Sequence, residues 1–289
     1  MSGLTNPACR EDLGWVWPAA AAAHLFSDPA ELTSEWESAP WRIRVTSKGE
    51  AAVLAPWRAH LGIMAVRGLW CSGSRVPLLI EDLRAVARQQ GFERIFSPLI
   101  PKEHAAPYAR SGLQPAQEIV VYRLNRMPWR SGKAGPASAS APAPTPAPTP
   151  TPTDIRLTVG TLADLPAVRA VDAQAFDDFW RYDDLMLVRY MAKDRVGLAY
   201  RAGQIVGYTL STLQGSDVTL GRLAVLPAQQ GRGIGGALLA EAIAAAARSG
   251  AKSVTLCTQV DNKASRRVYV DAGFKESPGH LVGLLSGPL

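Results

Sequence analysis

The sequence predicts a mixed α/β fold arranged in two domains, and three observations support that prediction. Short apolar runs typical of buried strands alternate with longer stretches whose apolar residues recur at helical spacing. The length of 289 residues fits about two domains. Residues 131–153 hold seven prolines among Ala, Thr and Ser, a composition that forms an extended spacer and not a core. We therefore predict domains at 1–130 and 154–289, joined by a disordered linker at 131–153.

The first domain is predicted to hold three helices and five strands. An apolar stretch at 13–26 follows acidic residues and contains Pro18, so we interpret it as a surface or core helix and not as a signal peptide. The other helices, at 78–90 and 102–111, each end before a glycine, as helix C-caps do. The strands are expected at 41–46, 51–55, 61–70, 92–97 and 118–124.

The second domain is predicted to have the order β-α-α-β-β-β-α-β-α-β. Thr161 and Asp164 have the spacing of a capping box at the start of its first helix. Ala202 and Gly203 indicate a hairpin turn between two strands. The helices are expected at 161–176, 183–191, 236–249 and 264–272. The strands are expected at 154–159, 196–201, 204–212, 218–226, 253–258 and 274–285.

Residues 222–247 join a buried strand to an Ala/Leu-rich helix through a loop with four glycines. Such a turn lets the backbone approach a phosphate group, which the free N–H groups at the helix start can bind. A P-loop would need Gly-Lys-Ser/Thr at its end, and this loop has no lysine. The glycines also satisfy the dinucleotide-binding pattern G-x-G-x-x-G, but the next strand ends without the required acidic residue. A glycine-rich turn that only packs is a further alternative.

A third pattern, Q/R-x-x-G-x-G/A, is met by Gln230, Gly233 and Gly235, with RLAVLP directly before it. This segment resembles the acetyl-CoA pyrophosphate loop of the GNAT superfamily of N-acetyltransferases. The predicted element order of 154–289 also matches that family along the whole segment. The resemblance implies a mixed, mostly antiparallel sheet flanked by helices.

The first domain resembles a second, degenerate GNAT copy. Residues 78–97 align with 238–256 at an offset of about 159, and 108–113 align with 269–274 at an offset of 161. The stretch 71–77, which stands opposite the glycine loop, has one glycine and a proline at the helix start. We therefore predict two GNAT-like domains joined by a Pro/Ala/Thr-rich linker. We expect the first to bind acetyl-CoA poorly or not at all.

The resemblance implies how acetyl-CoA, the acyl-donor substrate, would be held. The strand before the loop would pair with the pantetheine arm, and one of its N–H groups would polarise the thioester carbonyl. The loop would hold the pyrophosphate, and the start of the following helix would contact the pantetheine or phosphate arm. The residues implied are Leu223, Ala224, Val225, Gln230, Gly231, Arg232, Gly233, Ile234, Gly235, Gly236, Asn262, Ser265 and Arg266.

Two residues are candidates for proton transfer. Tyr269 lies two helical turns after Asn262 on the same helix face, and the resemblance implies that it protonates the departing thiolate. The alternative is a core aromatic on an amphipathic helix. Asp217, at the start of the central strand, could act as the base through water or be a strand-edge charge. His280, the second domain's only histidine, is expected at the surface.

The resemblance implies an acceptor site at 176–182, with the sequence FDDFWRY, because the region between the first two helices lines the acceptor groove in the family. We predict that Phe179, Trp180 and Tyr182 bind the acceptor, because aromatic faces next to acidic residues suit a cationic amine. Four aspartates lie in or directly after this segment, namely Asp177, Asp178, Asp183 and Asp184. The alternative is a helix cap with buried aromatics.

We therefore predict a bacterial N-acetyltransferase that transfers acetyl from acetyl-CoA to a primary amine, either a protein N-terminus or a small molecule. The alternatives are a tandem acyltransferase like mycothiol synthase and a non-catalytic CoA-binding sensor or scaffold. Three isolated cysteines favour a cytoplasmic setting, and the histidines show no metal-site spacing. The net charge of +6 includes no basic run that would indicate nucleic acid, and the apolar stretch is too short to span a membrane. Intramolecular domain docking and a homodimer both stay open.

Overall fold

The structure, a computed structural model, describes residues 3–26, 28–125 and 154–289. The predicted linker at 131–153 lies outside these residues. The mixed α/β fold is confirmed. The α-helices are α1 (Asp12–Ala22), α2 (Pro29–Ser38), α3 (Val76–Gln89), α4 (Ala106–Arg110), α5 (Leu165–Ala175), α6 (Asp184–Lys193), α7 (Ile234–Arg248) and α8 (Lys263–Asp271). The strands are β1 (Asn6–Pro7), β2 (Ile43–Val45), β3 (Ala51–Trp57), β4 (His60–Trp70), β5 (Arg94–Phe96), β6 (Ile100–Pro101), β7 (Gln114–Leu124), β8 (Ile155–Val159), β9 (Arg195–Arg201), β10 (Gln204–Gln214), β11 (Asp217–Val225), β12 (Ser253–Gln259), β13 (Lys275–Glu276) and β14 (Leu281–Leu285).

The described residues form two compact units. Unit 1 comprises residues 1–118 and 279–289, and unit 2 comprises residues 119–278. These ranges differ from the predicted limits at 1–130 and 154–289, because one strand before the linker belongs to unit 2 and one strand after it belongs to unit 1. We call this arrangement the strand exchange. The second half of β7 precedes the linker yet pairs with β12 in unit 2. Strand β14 is the last strand of the chain yet pairs with β5 and β6 in unit 1.

The prediction of one final strand at 274–285 is wrong. The structure divides this stretch into β13, which pairs with β7, and β14, with Gly279 between them in a left-handed conformation at φ +81°. An apolar pattern reports that a segment is extended and buried, but it does not report which sheet the segment joins.

Unit 1 has the strand order β1-β2-β3-β4-β5-β14, in which only β4 and β5 run parallel. Helix α3 packs on one face with Ile80, Leu83 and Val86. Helices α1 and α2 contribute Val16 and Leu32 to a second cluster. The sequence did not predict α2, although Asp28 caps its N-terminus and Pro29 occupies its first position. The predicted helix at 102–111 is a 3₁₀ turn followed by the short α4.

Unit 2 has the strand order β8-β9-β10-β11-β12-β7, with β13 also paired to β7. Only β11 and β12 run parallel. Helices α5 and α6 cover one face of the sheet, and the side chain of Ala224 lies on that face. Helix α7 packs in both hydrophobic clusters that include Leu223, and α8 contributes Tyr269 to one of them. The predicted capping box of Thr161 and Asp164 is confirmed.

We predict that a protease site inserted within 131–153 can be cut without separating the chain into two particles. Each fragment supplies a hydrogen-bonded strand to the unit that is mostly made by the other fragment. Size-exclusion chromatography of the cut protein should show both fragments in one peak, which 6 M urea resolves into two. Two separate peaks in native buffer would contradict the strand exchange.

Candidate functional site

The two parallel strands of unit 2 separate partway along their length. Strands β11 and β12 pair from Asp217↔Ser253 to Leu220↔Leu256. Beyond that point β11 continues along β10, and β12 continues along β7. A β-bulge opposite Leu210 and Ser211 lies where β11 leaves β12, and bulges commonly redirect a strand. We call the space between residues 221–225 and 257–259 the β11–β12 gap.

Two backbone N–H groups of β11 face this gap. The Leu226 N–H donates to the Val206 carbonyl on β10 at 2.9 Å. Because successive residues of a strand direct their N–H groups to opposite sides, Ala224 also faces β10. The N–H groups of Leu223 and Val225 then lie on the gap side. Of the three predicted backbone positions, the structure thus turns two toward the gap.

The loop after β11 requires glycine at two positions. Gly231 has φ +72° and Gly233, which caps α7, has φ +77°. A residue with a Cβ is strained in this left-handed region. Gly235 has no such requirement, because a Cβ there would meet only a Val225 methyl group at 3.8 Å. The two left-handed glycines bring the loop directly into the start of α7.

The start of α7 presents backbone N–H groups and the positive end of the helix dipole. The first intrahelical bond runs from the Ala237 N–H to the Gly233 carbonyl at 3.0 Å. The N–H groups of Ile234, Gly235 and Gly236 therefore precede the helical hydrogen-bond ladder. The Gln230 amide donates to the Val225 carbonyl at 3.1 Å and ties the loop to the end of β11. Arg232 is exposed.

Asn262 caps α8. Its Oδ1 accepts a hydrogen bond from the Ser265 N–H at 3.1 Å, which satisfies one of the N–H groups at the helix start. The side chain that was predicted to bind the cofactor thus has a structural partner within its own helix. Its capping role explains why an Asn suits this position whether or not acetyl-CoA binds.

Tyr269 is 5% exposed and packs between Tyr122 and Phe274, at ring-centroid distances of 5.7 and 6.2 Å. Burial raises the pKa of Tyr269 to about 12; a hydrogen bond with Ser265 lowers it, and the nearby Cys257 thiol raises it. Cys257 is the first residue of β12 after its pairing with β11 ends. The Tyr269 hydroxyl is therefore protonated at neutral pH, and it lies within electrostatic range of Cys257, at the beginning of the gap.

Arg266 belongs to a network on the flank of α8. Its Nε donates to the Tyr122 hydroxyl at 3.0 Å, and its Nη1 donates to the Val260 carbonyl at 2.9 Å. The Tyr122 hydroxyl donates to Glu276 at 2.9 Å, and Glu276 also accepts from Arg266. The sequence did not indicate this role for Tyr122, because Tyr122 lies on β7, before the linker.

Asp217 lies at the end of β11 that is opposite the glycine loop. It is six residues before Leu223, or roughly 20 Å along an extended strand. Its carboxylate accepts hydrogen bonds from Arg123, at 3.1 Å, and from the Ser253 hydroxyl. The structure thus gives Asp217 a role in holding strand ends together, and we assign it no part in the reaction.

The three predicted acceptor residues are not equivalent. Trp180 and Tyr182 are buried, and Phe179 is partly buried with its ring edge-on to Trp180 at 5.4 Å. The four aspartates of this region are engaged in capping hydrogen bonds or ion pairs. The contacts are Asp177 with the Trp180 N–H, Asp178 with Arg181, Asp183 with the Met186 N–H, and Asp184 with Arg169.

A buried ion pair that we did not predict from the sequence anchors this segment. Arg222 donates to Asp172 through Nε at 2.9 Å and Nη2 at 3.2 Å, and both side chains are almost completely buried. The Tyr208 hydroxyl donates to the same carboxylate at 2.5 Å. Burial alone would lower the pKa of Arg222, but Tyr182, Tyr208 and Asp172 raise it overall. The sequence did contain a signal for this ion pair. Asp172 occupies an inward position of the amphipathic helix α5, and Arg222 occupies an inward position of the buried strand β11.

Unit 1 has the same strand separation without the loop. Strands β4 and β5 pair from Ile63↔Arg94 to Ala65↔Phe96, and β4 then continues along β3 to Trp70. Pro77 at the start of α3 has no N–H, and the N-cap Arg75 has an ordinary φ of −89°. The Arg75 guanidinium donates to Glu50 at 2.8 and 2.9 Å. The start of α3 therefore offers an anion fewer donors than the start of α7.

Neither a metal site nor a membrane span is found in the described part of the chain. Among the described residues, no group of three or more His, Cys, Asp or Glu side chains could hold a metal ion. No helix in the described ranges is long and apolar enough to cross a membrane.

We predict that Gly231→Ala destabilises unit 2, whereas Gly235→Ala does not. The first change forces a Cβ into a left-handed conformation and should lower the free energy of unfolding by about 1 kcal/mol. The second places alanine in the first turn of α7 with only an ordinary contact, so stability should stay the same or rise. Urea unfolding followed by circular dichroism measures both. Equal stabilities of the two variants would contradict the assigned loop geometry.

Known proteins resemble this chain in sequence and in fold. The model of the acetyltransferase (GNAT) family matches residues 164–274. A Bacillus subtilis protein described as "Uncharacterized N-acetyltransferase YhfO" is 31% identical over 97 residues, which are 32% of this chain and 65% of that protein. The match thus spans just under two thirds of that relative's length.

Solved structures show the same fold. A GCN5-related N-acetyltransferase from Sphaerobacter thermophilus matches 98% of this chain and 94% of its own, with a TM-score of 0.65 at 18% identity. A structure described as a tandem GNAT protein from the clavulanic acid biosynthesis pathway matches 84% of this chain and 81% of its own, with a TM-score of 0.59 at 16% identity. At these identities the two structures support the fold alone. Residues 164–274 thus match the model of the acetyltransferase (GNAT) family, and the chain is similar in fold to these two structures.

Proposed function

We propose that unit 2 transfers an acetyl group from acetyl-CoA to a primary amine. The observation that supports this best is the position of the β11–β12 gap. Two backbone N–H groups, of Leu223 and Val225, face a gap that leads directly into the glycine loop and the start of α7. An extended chain with an amide-bearing arm and a diphosphate, as in CoA, matches that sequence of donors.

The residues of unit 2 fit each part of this substrate. The pantetheine arm would lie along Leu223 and Val225 as an added strand, and the pyrophosphate would accept from the N–H groups at 234–236. The exposed Arg232 adds positive charge on the same loop. Three of the residues predicted from the sequence to bind acetyl-CoA would instead hold the surrounding structure in place. Ala224 pairs with β10, Asn262 caps α8, and Arg266 donates to Tyr122.

The proposed reaction is direct attack. The neutral amine nitrogen forms a bond to the thioester carbonyl carbon, and the N–H of Val225 or Leu223 stabilises the oxyanion. The carbon–sulfur bond then breaks, and Tyr269 donates its proton to the departing thiolate. Because the pKa of Tyr269 is about 12, its hydroxyl carries the proton throughout the neutral range, and the phenolate left after the transfer regains a proton from solvent. The amine loses its own proton to solvent or to a base that we do not assign.

The acceptor is a primary amine on a small molecule or a protein N-terminus. It would approach from the sheet face that carries α5 and α6, since α7 and the glycine loop lie on the other face. A CoA-binding sensor that transfers nothing would need the same gap and loop, so only turnover separates the two functions.

We predict that Tyr269→Phe lowers the rate of CoA release by about one hundredfold, because the thiolate loses its proton donor. CoA affinity, measured by calorimetry, should stay within twofold, since the ring and its packing remain. The assay measures thiol release from acetyl-CoA in the presence of a panel of amines.

Tyr108→Phe is the matched control. Tyr108 is the corresponding tyrosine of unit 1, is also buried, and has its pKa raised by burial to about 12. This variant should keep the wild-type rate. A Tyr269→Phe enzyme with an unchanged rate would refute the general-acid role. Tight CoA binding without thiol release from any amine would favour the sensor.

A further inference from the structure

We propose that the Asp172–Arg222 pair positions the wall of the acceptor site and so sets the affinity for the amine without contributing to acetyl-CoA binding. This inference rests on the proposed function of unit 2. The wall is segment 176–182, which connects α5 to α6.

Arg222 contacts this segment at three points. Besides its two bonds to Asp172, Nη2 donates to the Trp180 carbonyl at 2.7 Å. The guanidinium lies between the rings of Phe176 and Tyr182, with its central carbon 3.7 Å from each ring centroid. Asp172 in turn accepts from the Tyr182 N–H at 2.9 Å. The segment is therefore attached at its start, middle and end to one side chain of β11 and its partner.

The attachment point on β11 borders the β11–β12 gap. Arg222 follows the bulge and directly precedes Leu223, whose N–H faces the gap. The Arg222 side chain lies on the face of α5 and α6, as Ala224 does, whereas Leu223 packs with the clusters on the α7 face. The proposed pyrophosphate site lies on the α7 face, so segment 176–182 lies on the face from which an amine would reach the thioester.

A buried ion pair is a poor source of stability, because two charges lose their hydration when they are buried. An apolar pair of similar volume often stabilises a fold equally well. What an apolar pair cannot replace is the planar fork of Arg222, which binds a carboxylate, a carbonyl and two ring faces at once. The pair thus contributes fixed positions for the groups that Arg222 binds, and not stability.

The test uses the full chain and two variants. Asp172→Leu combined with Arg222→Met removes the pair while keeping apolar volume, so that no unpaired charge remains buried. Arg222→Lys keeps the charge but loses the fork. In both, we expect the KM for the best amine to rise at least tenfold, while the Kd of CoA by calorimetry stays within twofold. In the double variant, hydrogen–deuterium exchange of a peptide spanning 176–182 should become faster.

The matched control is Arg169→Met, which removes the Arg169–Asp184 ion pair. That pair also joins α5 to α6, at 2.9 Å, but both side chains are more than half exposed. The control variant should leave KM and exchange unchanged. A KM within twofold of wild type in either Arg222 variant would overturn the proposal, and so would a loss of CoA affinity by the same factor as the amine. If the double variant does not fold, the KM and the CoA affinity of Arg222→Lys decide between these outcomes.

The proposed function can fail separately. If the wild-type chain acetylates no amine, exchange of 176–182 and CoA affinity still report on the pair. Unchanged exchange in the folded double variant would then overturn the positioning role itself.

Discussion

The structure of unit 2 depends on one constraint, which is that backbone polar groups inside a sheet need partners. β11 gives up its pairing with β12 after Leu220, and the bulge lets it keep its pairing with β10. The N–H groups of Leu223 and Val225 are thereby turned toward a space between two strands of the same sheet. The proposed substrate, with its extended, amide-bearing arm, would satisfy that requirement, and the glycine loop would hold its charged end.

The two units show which part of this arrangement is specific. Both have a parallel strand pair that separates, a helix that ends at a left-handed glycine (Gly91 and Gly250, each at φ +79°) and a buried tyrosine on a short helix. They differ at the helix start. Gly233 at φ +77° leads into α7, whereas Arg75 is the N-cap of α3 and Pro77 is its second residue. The Arg75 charge is already matched by Glu50. An anion site therefore depends on a few residues that the rest of the unit does not determine.

Much of the fold followed from local rules. The left-handed glycines, the capping box at Thr161 and the turn at Ala202 and Gly203 each reflect the preferences of a few adjacent residues. The features that could not be predicted are long-range. Residues 119–124 and 281–285 have the same apolar pattern whichever sheet they join, so the strand exchange left no local signal. Arg222 and Asp172 are 50 residues apart in sequence. The ion pair between them holds the segment in which Trp180 and Tyr182 are buried, so that burial could not be predicted locally.

A crystal structure of the full chain with CoA would test the central claim most directly. The account predicts one CoA per chain, with its arm hydrogen-bonded to the backbone of Leu223 and Val225. Its pyrophosphate should lie at the start of α7, and its sulfur should be near the Tyr269 hydroxyl. CoA bound at residues 71–77 of unit 1, or bound in unit 2 away from the β11–β12 gap, would contradict it.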